Sequence, residues 1–330
     1  MAERFDIGGF RAQSGEAFDV RLVYRTLGRL NSRGDNAVVV TTSYAAQDDE
    51  AELLVGGENA IDLESYFVVL INMLSNGLSS SPSNTAPPFD GPRFPRFTIH
   101  DNVACQRKLV EALGINRVRL VAGYSMGGLQ AFEWGSQHPD IIDAILPICG
   151  AARVSPHNWL FLDGAKEALQ LDPLFASGEY QVTPDAGLRA FARVYAGWAL
   201  SQAFFRDALY TMLGLDSVEA VVGLVYDYFA RRDTNDLLGM LWTWQHADIS
   251  KNNRFDGDFA AALSAISARA IVMPGSTDLY FTVADSEIEV SHMPNAELRP
   301  IESLFGHFAG GGQVPEGKAM IDQAIDELLA

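Results

Sequence analysis

A serine set among glycines, Gly123-Tyr124-Ser125-Met126-Gly127-Gly128, is the stretch of this chain best suited to covalent chemistry. An apolar run, Arg117-Val118-Arg119-Leu120-Val121-Ala122, precedes it, and a helical one, Leu129-Gln130-Ala131-Phe132-Glu133-Trp134, follows. Strand, sharp turn, serine and helix is a layout that holds a hydroxyl in a strained turn above a sheet. It leaves the serine at a helix N-terminus, where unbonded N–H groups stabilise a developing anion. The pattern is short, and a glycine-rich turn before any helix would read the same way. Residues elsewhere must decide between the two.

A serine hydroxyl is a poor nucleophile until a base takes its proton, and the base needs an acid to orient it. In strand–turn–helix sites of this kind the order is serine, acid, histidine. Ile271-Val272-Met273-Pro274-Gly275-Ser276-Thr277-Asp278 reads as a buried strand running into a loop that carries an acid, so Asp278 is the orienting acid. Its alternative use is an Asx-type turn. Asp285 and Asp248 are fallbacks, one inside the next helix and the other ahead of the strand. Only His292 and His307 follow Asp278. His292 lies in Val290-Ser291-His292-Met293-Pro294, which reads as a surface turn. His307 lies in Phe305-Gly306-His307-Phe308-Ala309-Gly310-Gly311-Gly312, a loop able to hold an imidazole over a sheet edge, and it is chosen. An oxyanion needs two backbone donors. Met126 is one; the other is assigned to Tyr44, in the loop Val40-Thr41-Thr42-Ser43-Tyr44-Ala45-Ala46.

The surrounding elements alternate between strand and helix. Strands are expected at 19–27, 37–42, 66–71, 117–122, 141–148 and 270–273, and helices at 98–113 and 315–329. Buried strands between helices predict an α/β fold, with a mostly parallel sheet and helices on both faces. Sites in such sheets form at the carboxyl ends of the strands. Residues 74–97 form a Ser/Pro/Gly/Asn-rich loop, long enough to suggest a functional one. From 151 to 245 strand signals vanish and aromatic-rich helical runs replace them. The expected organisation is a core of 1–150 and 246–330 with a helical cap inserted at 151–245.

The chain has 330 residues, 48% of them hydrophobic and 10% aromatic, enough for one large core. Its net charge of −18 argues against nucleic acid or an anionic membrane as partner, because phosphates would be repelled. Cys105 and Cys149 lie in apolar surroundings and read as reduced core residues. The first residues carry no apolar segment, so a cytoplasmic protein without a signal peptide is expected, and no stretch approaches a membrane span. The motifs of a metal centre are missing, and His100, His138, His157, His246 and His292 have no obvious ligand partners nearby. Neither metal nor cofactor is expected.

Beyond the serine, several segments are similar to the homoserine transacetylase family of α/β-hydrolase folds. They are Gly56-Gly57-Glu58-Asn59-Ala60-Ile61-Asp62, Tyr66-Phe67-Val68, Asn72-Met73-Leu74-Ser75-Asn76-Gly77-Leu78-Ser79-Ser80-Ser81-Pro82-Ser83, Phe94-Pro95-Arg96-Phe97-Thr98-Ile99-His100-Asp101, Ser125 to Trp134, Ser276-Thr277-Asp278-Leu279-Tyr280-Phe281 and Gly306-His307. The resemblance implies a Ser-Asp-His triad, a ping-pong acyl-enzyme mechanism, a helical cap and a homodimer built through the caps. The departures shift the expected acceptor. The transferases have His-Ala-Leu-Thr-Gly where this chain has Thr42-Ser43-Tyr44-Ala45-Ala46, and glycine where it has Tyr124. They follow the Gly-His with an aspartate associated with the amino acid's ammonium; here Phe308 stands there. A buried ammonium without a counter-charge is costly, so Phe308 suggests an apolar pocket. Tyr124 is placed in the same pocket. Arg193 either matches a cap arginine able to hold a carboxylate or lies on a solvated helix face.

The expectation is therefore a serine hydrolase that passes a short acyl group, most simply acetate, from a small ester to water. An O-acyltransferase using acyl-CoA, a non-catalytic ligand-binding protein and a C–C bond hydrolase are the alternatives.

Overall fold

Runs that are apolar on both faces become the centre of a sheet. The computed structural model describes residues 2–55, 60–312 and 314–330. The family-like segment Gly56-Gly57-Glu58-Asn59 lies outside them. The chain begins with an antiparallel hairpin, β1 (Glu3–Arg11) and β2 (Ala17–Leu27). There follow β3 (Ala37–Thr41), β4 (Phe67–Ile71), α1 (Ile99–Ala112), β5 (Val118–Tyr124), α2 (Met126–Gln137) and β6 (Ala144–Ile148). Five helices come next: α3 (Pro156–Gln170), α4 (Asp185–Ala199), α5 (Gln202–Arg206), α6 (Val218–Ala230) and α7 (Thr234–Gln245). The chain closes with α8 (Phe259–Ser264), β7 (Arg269–Val272), α9 (Val283–His292), β8 (Ala296–Leu298) and α10 (Pro315–Leu329).

The strands form one eight-stranded sheet in the order β1-β2-β4-β3-β5-β6-β7-β8. From β4 to β8 every neighbouring pair is parallel; only the β1–β2 and β2–β4 pairs are antiparallel. Alternate side chains of the central strands enter two different clusters. Val39, Val69, Val121 and Ile145 pack with Val103 and Leu109 of α1 and Phe132 and Trp134 of α2. Val38, Val40, Leu120 and Leu146 pack with Ile321, Ile325 and Leu328 of α10. Helices thus cover both faces, as a parallel sheet requires, and the expected α/β architecture is present.

Two strands were not legible. In β1 the period-two pattern breaks at Gly8-Gly9, where the register shifts between Ile7 and Phe10 and Gly9 takes φ +60°. β8 is three half-exposed residues long. The strand expected at 141–148 begins only at Ala144. The helix expected from residue 98 is α1, opened by a reciprocal cap: the Asp101 N–H donates to Thr98 Oγ1 at 3.2 Å, and the Thr98 N–H to Asp101 Oδ2 at 2.9 Å.

All five of the helices α3–α7 lie between β6 and β7. Their buried residues, among them Phe161, Phe191, Tyr195, Phe229 and Trp244, share one cluster with Tyr44, Met126, Leu129, Tyr280 and Phe281. The helical segment therefore packs over the loops that follow β3, β5 and β7. The long loop from residue 72 is ordered by its own polar side chains. Ser79 and Ser80 accept from the N–H groups of Val23 and Arg21, and Asn76 and Asn84 bond loop carbonyls. Asp236 on α7 ties to it, accepting from the N–H of Ser83 at 2.9 Å and its hydroxyl at 2.6 Å. Among the described residues no helix is long and apolar enough to cross a membrane.

Candidate active site

At the end of β5 the backbone turns through Ser125 at φ 59° and ψ −123°, and α2 starts at the next residue. Non-glycine residues with positive φ are uncommon and strained, and strain of this kind concentrates at functional sites. Here it is held in place. The Ser125 N–H donates to Ile148 O at 2.8 Å. A Cβ on Gly123 would sit 2.3 Å from Thr41 Oγ1, and one on Gly127 would sit 2.6 Å from Thr41 O. Glycine at both positions lets β3 approach the turn closely.

His307 Nε2 lies 2.9 Å from Ser125 Oγ, and its Nδ1 lies 2.7 Å from Asp278 Oδ2. With the proton on Nδ1 donated to the carboxylate, Nε2 is free to accept the serine hydroxyl proton. The other carboxylate oxygen, Oδ1, accepts from the N–H groups of Tyr280 at 2.7 Å and Phe281 at 3.3 Å. All three residues are buried, at 2%, 4% and 2% exposure, so solvent competes little for these bonds. Three residues far apart in the chain thus form one directional proton path. The fallback residues are engaged elsewhere: Asp285 accepts from the hydroxyl of Thr282, the N-cap of α9, Asp248 bonds Ser250, and His292 ends α9 exposed to solvent.

Met126 is the first residue of α2, so its N–H has no intrahelical acceptor. Among the described residues neither it nor the Tyr44 N–H meets a protein acceptor. Thr41 pairs with Gly123 across β3 and β5, which brings the loop carrying Tyr44 out beside the serine turn. Two unspent N–H groups near a nucleophile are what a tetrahedral oxyanion requires. The Tyr44 side chain turns the other way, its ring packed on Tyr195, Phe229 and Trp244 and its hydroxyl donating to Leu237 O.

The residues assigned to the pocket fare differently. Phe308 is half-buried against the cluster of α3–α7. Tyr124 stacks on the imidazole with ring centroids 4.9 Å apart, and its hydroxyl donates to His307 O at 3.0 Å. It supports the histidine, a role that its position before the serine did not reveal. Arg193 is exposed on α4 and pairs with Glu219 of α6 at 3.0 Å. Of its two readings, the solvated helix face is the one that matches its surroundings. His100 lies 2.9 Å from buried Glu133, a single carboxylate and not a set of metal ligands.

Sequence reasoning missed two neighbours of the triad. Tyr280 packs edge-on against His307 at 4.8 Å, and its hydroxyl donates to Tyr195 O. Cys149, at φ 44°, is wholly buried, and its Sγ lies within 4.8 Å of ligand atoms of both Asp278 and His307. Burial, and then the charge of Asp278, push its thiol well above the usual range, so it stays protonated and is no rival nucleophile. A thiol, a carboxylate and an imidazole this close resemble a metal-ligand set. Here the carboxylate and imidazole are already committed to one another and to Ser125, Tyr280 and Phe281, which does not fit an ion.

The sequence pattern described as alpha/beta hydrolase fold matches residues 57–310. The chain is 36% identical to the ethyl acetate hydrolase of Pseudomonas veronii, over 99% of this chain and 95% of that protein. It superposes on the crystal structure of an acetylester hydrolase from Corynebacterium glutamicum with a TM-score of 0.95 and 34% identity, covering 100% of this chain and 96% of the other. The homoserine O-acetyltransferase of Trichormus variabilis is 30% identical over 88% of this chain and 84% of its own.

Proposed function

The chain belongs to the alpha/beta hydrolase fold family, and on that premise we propose that it is a serine carboxylic-ester hydrolase for short-chain, acetate-type esters. The observation that carries this is the bonded path from Ser125 Oγ through His307 to Asp278, with two free N–H donors beside it. Ser125 attacks the ester carbonyl as His307 Nε2 takes its proton. The oxyanion rests on the N–H groups of Met126 and Tyr44. His307 then protonates the departing alcohol, leaving an acyl group on Ser125. A water gives a proton to the same nitrogen and attacks the acyl carbonyl; His307 returns that proton to Ser125 Oγ as the acyl–Oγ bond breaks and the acid leaves. Asp278 holds the imidazole tautomer throughout and stabilises its cationic form.

Water is favoured over an amino-acid acceptor. Phe308 offers no counter-charge to an ammonium, and the ring cluster from His307 through Tyr280 to Phe161, Tyr195 and Trp244 makes an apolar surrounding. Residues 151–245 serve as a cap over Ser125. The enzyme acts in the cytoplasm as a homodimer joined through that cap. Transferase relatives at 30% identity make acyl transfer to homoserine the competing reading. A panel of p-nitrophenyl esters of rising acyl length, together with acetyl-CoA assayed with and without homoserine, separates the two. The expected result is fastest turnover of the acetate and acetyl-CoA consumption that homoserine does not change. Acceleration by homoserine would favour the transferase.

A further inference from the structure

Behind the serine turn runs a chain of buried side-chain amides that the triad does not use. Trp134 Nε1 on α2 donates to Gln106 Oε1 on α1 at 2.8 Å, and Gln106 Nε2 donates to Gln130 Oε1 at 2.6 Å. Gln130 Nε2 then donates to Thr42 O at 2.8 Å and Met126 O at 3.2 Å. All three side chains are 0% exposed. The direction of this relay is dictated by chemistry. An indole nitrogen can only donate, so Gln106 must turn its oxygen toward Trp134 and its NH2 toward Gln130. Gln130 must in turn present its oxygen to Gln106 and its NH2 to the two carbonyls. A flipped amide anywhere along the line would set two donors or two acceptors against each other in a buried site, at a cost of about 1–3 kcal/mol.

The far end of the relay is the informative one. Met126 supplies one oxyanion donor itself. Thr42 lies two residues before Tyr44, which supplies the other. Met126 belongs to α2 and Thr42 to the loop after β3, and Gln130 bridges them with its two amide hydrogens. A parallel tie, Thr41 Oγ1 donating to Gly127 O at 2.9 Å, fixes the strand side of the same junction. The loop itself has a strained point just beyond Tyr44, with Ala45 at φ 61°, so its course is not set by local preference alone.

We propose that Gln130 is a positioning residue for the oxyanion hole: by joining Thr42 O to Met126 O it fixes the spacing between the Tyr44 and Met126 N–H groups, and the Trp134–Gln106 pair locks its amide the right way round. The inference rests on the assignment of Ser125 as nucleophile. It separates Gln130 from the triad by what is lost. A displaced donor weakens the tetrahedral state more than the bound ester, so kcat falls while KM holds.

The test compares wild type, Gln130→Met, Trp134→Phe and Ser125→Ala on p-nitrophenyl acetate, with inhibition by an alkyl trifluoromethyl ketone, whose serine adduct carries an oxyanion. Gln130→Met keeps the side-chain volume and deletes the amide. It is expected to lower kcat about tenfold to a hundredfold, short of the ~10²–10³ lost when an oxyanion donor is removed outright. KM should stay within about twofold, and the ketone should bind weaker by a factor close to the loss in kcat/KM. Trp134→Phe, at the opposite end, should lower kcat a few-fold in the same manner; it decides the matter if Gln130→Met does not fold. Gln130→Met with wild-type kcat, or a fall in kcat without weaker ketone binding, overturns the proposal while an inactive Ser125→Ala leaves the nucleophile in place. An active Ser125→Ala overturns the nucleophile assignment and this inference with it.

Discussion

At the scale of single residues, the site is built by committing every polar atom once. Both oxygens of Asp278 and both nitrogens of His307 are spent, which leaves Ser125 Oγ as the group poised to react. This part was legible because order and residue type restrict it so strongly: one serine in a strand–turn–helix frame, one acid after a returning strand, and two histidines beyond. What surrounds these residues was not legible. Tyr124 backs the imidazole and Cys149 lies beside the carboxylate only because β5, β6 and the last loops meet in space. Gln130 was visible in the sequence as part of the segment from Ser125 to Trp134. Its role depends on Gln106 and Thr42, which are distant in the chain and carry no local signal.

Elements differ in legibility for a related reason. β3 and β6 are buried at every position and read as unbroken apolar runs. β1 and β8 lie at the sheet edges, half-exposed and interrupted or short, so neither period nor hydrophobicity marks them. The helical segment was recognised as a whole. Its attachment to the core depends on buried carboxyls, and these carry a pH prediction. Glu289 on α9 accepts from the Ala152 N–H at 2.7 Å, at the entry to the segment. Burial raises its carboxyl from the ordinary 4.5 to about 8. The folded protein therefore holds a proton that the unfolded chain releases, so stability falls as pH rises from about 5 and levels off above the folded value. Glu289→Gln keeps the acceptor oxygen and removes the titration. Thermal melts across this range should show the wild-type Tm falling by several degrees and the variant's falling less; parallel curves would show that Glu289 does not titrate there.

For the whole molecule, the sheet and its two helical layers followed from the alternation of strand and helix, and a helical insertion at 151–245 from the loss of strand signals, while the packing of its rings with Tyr44, Met126 and Tyr280 needed the three-dimensional structure. Nine of the eleven exposed large hydrophobic residues among the described residues lie between 159 and 224, including Leu160, Leu171, Val182 and Met212. Exposed apolar surface gathered on one segment favours a partner surface there, which supports a dimer through the cap. Sizing the esterase activity in the cytosolic fraction of expressing cells tests assembly and location together. Activity at twice the monomer mass, reduced to monomer by Leu160→Glu with Leu171→Glu, is expected; a wild-type monomer, or activity outside that fraction, would count against them. The chemistry proposed for the site turns on an acyl-enzyme at Ser125. Acid-quenching the protein soon after mixing with excess p-nitrophenyl acetate, followed by peptide mass spectrometry, reads it directly. A burst of nitrophenol matched by one acetyl group on the peptide at Ser125 is expected, both lost in Ser125→Ala; acetyl on another residue, or hydrolysis undiminished in Ser125→Ala, would overturn the assignment of the nucleophile.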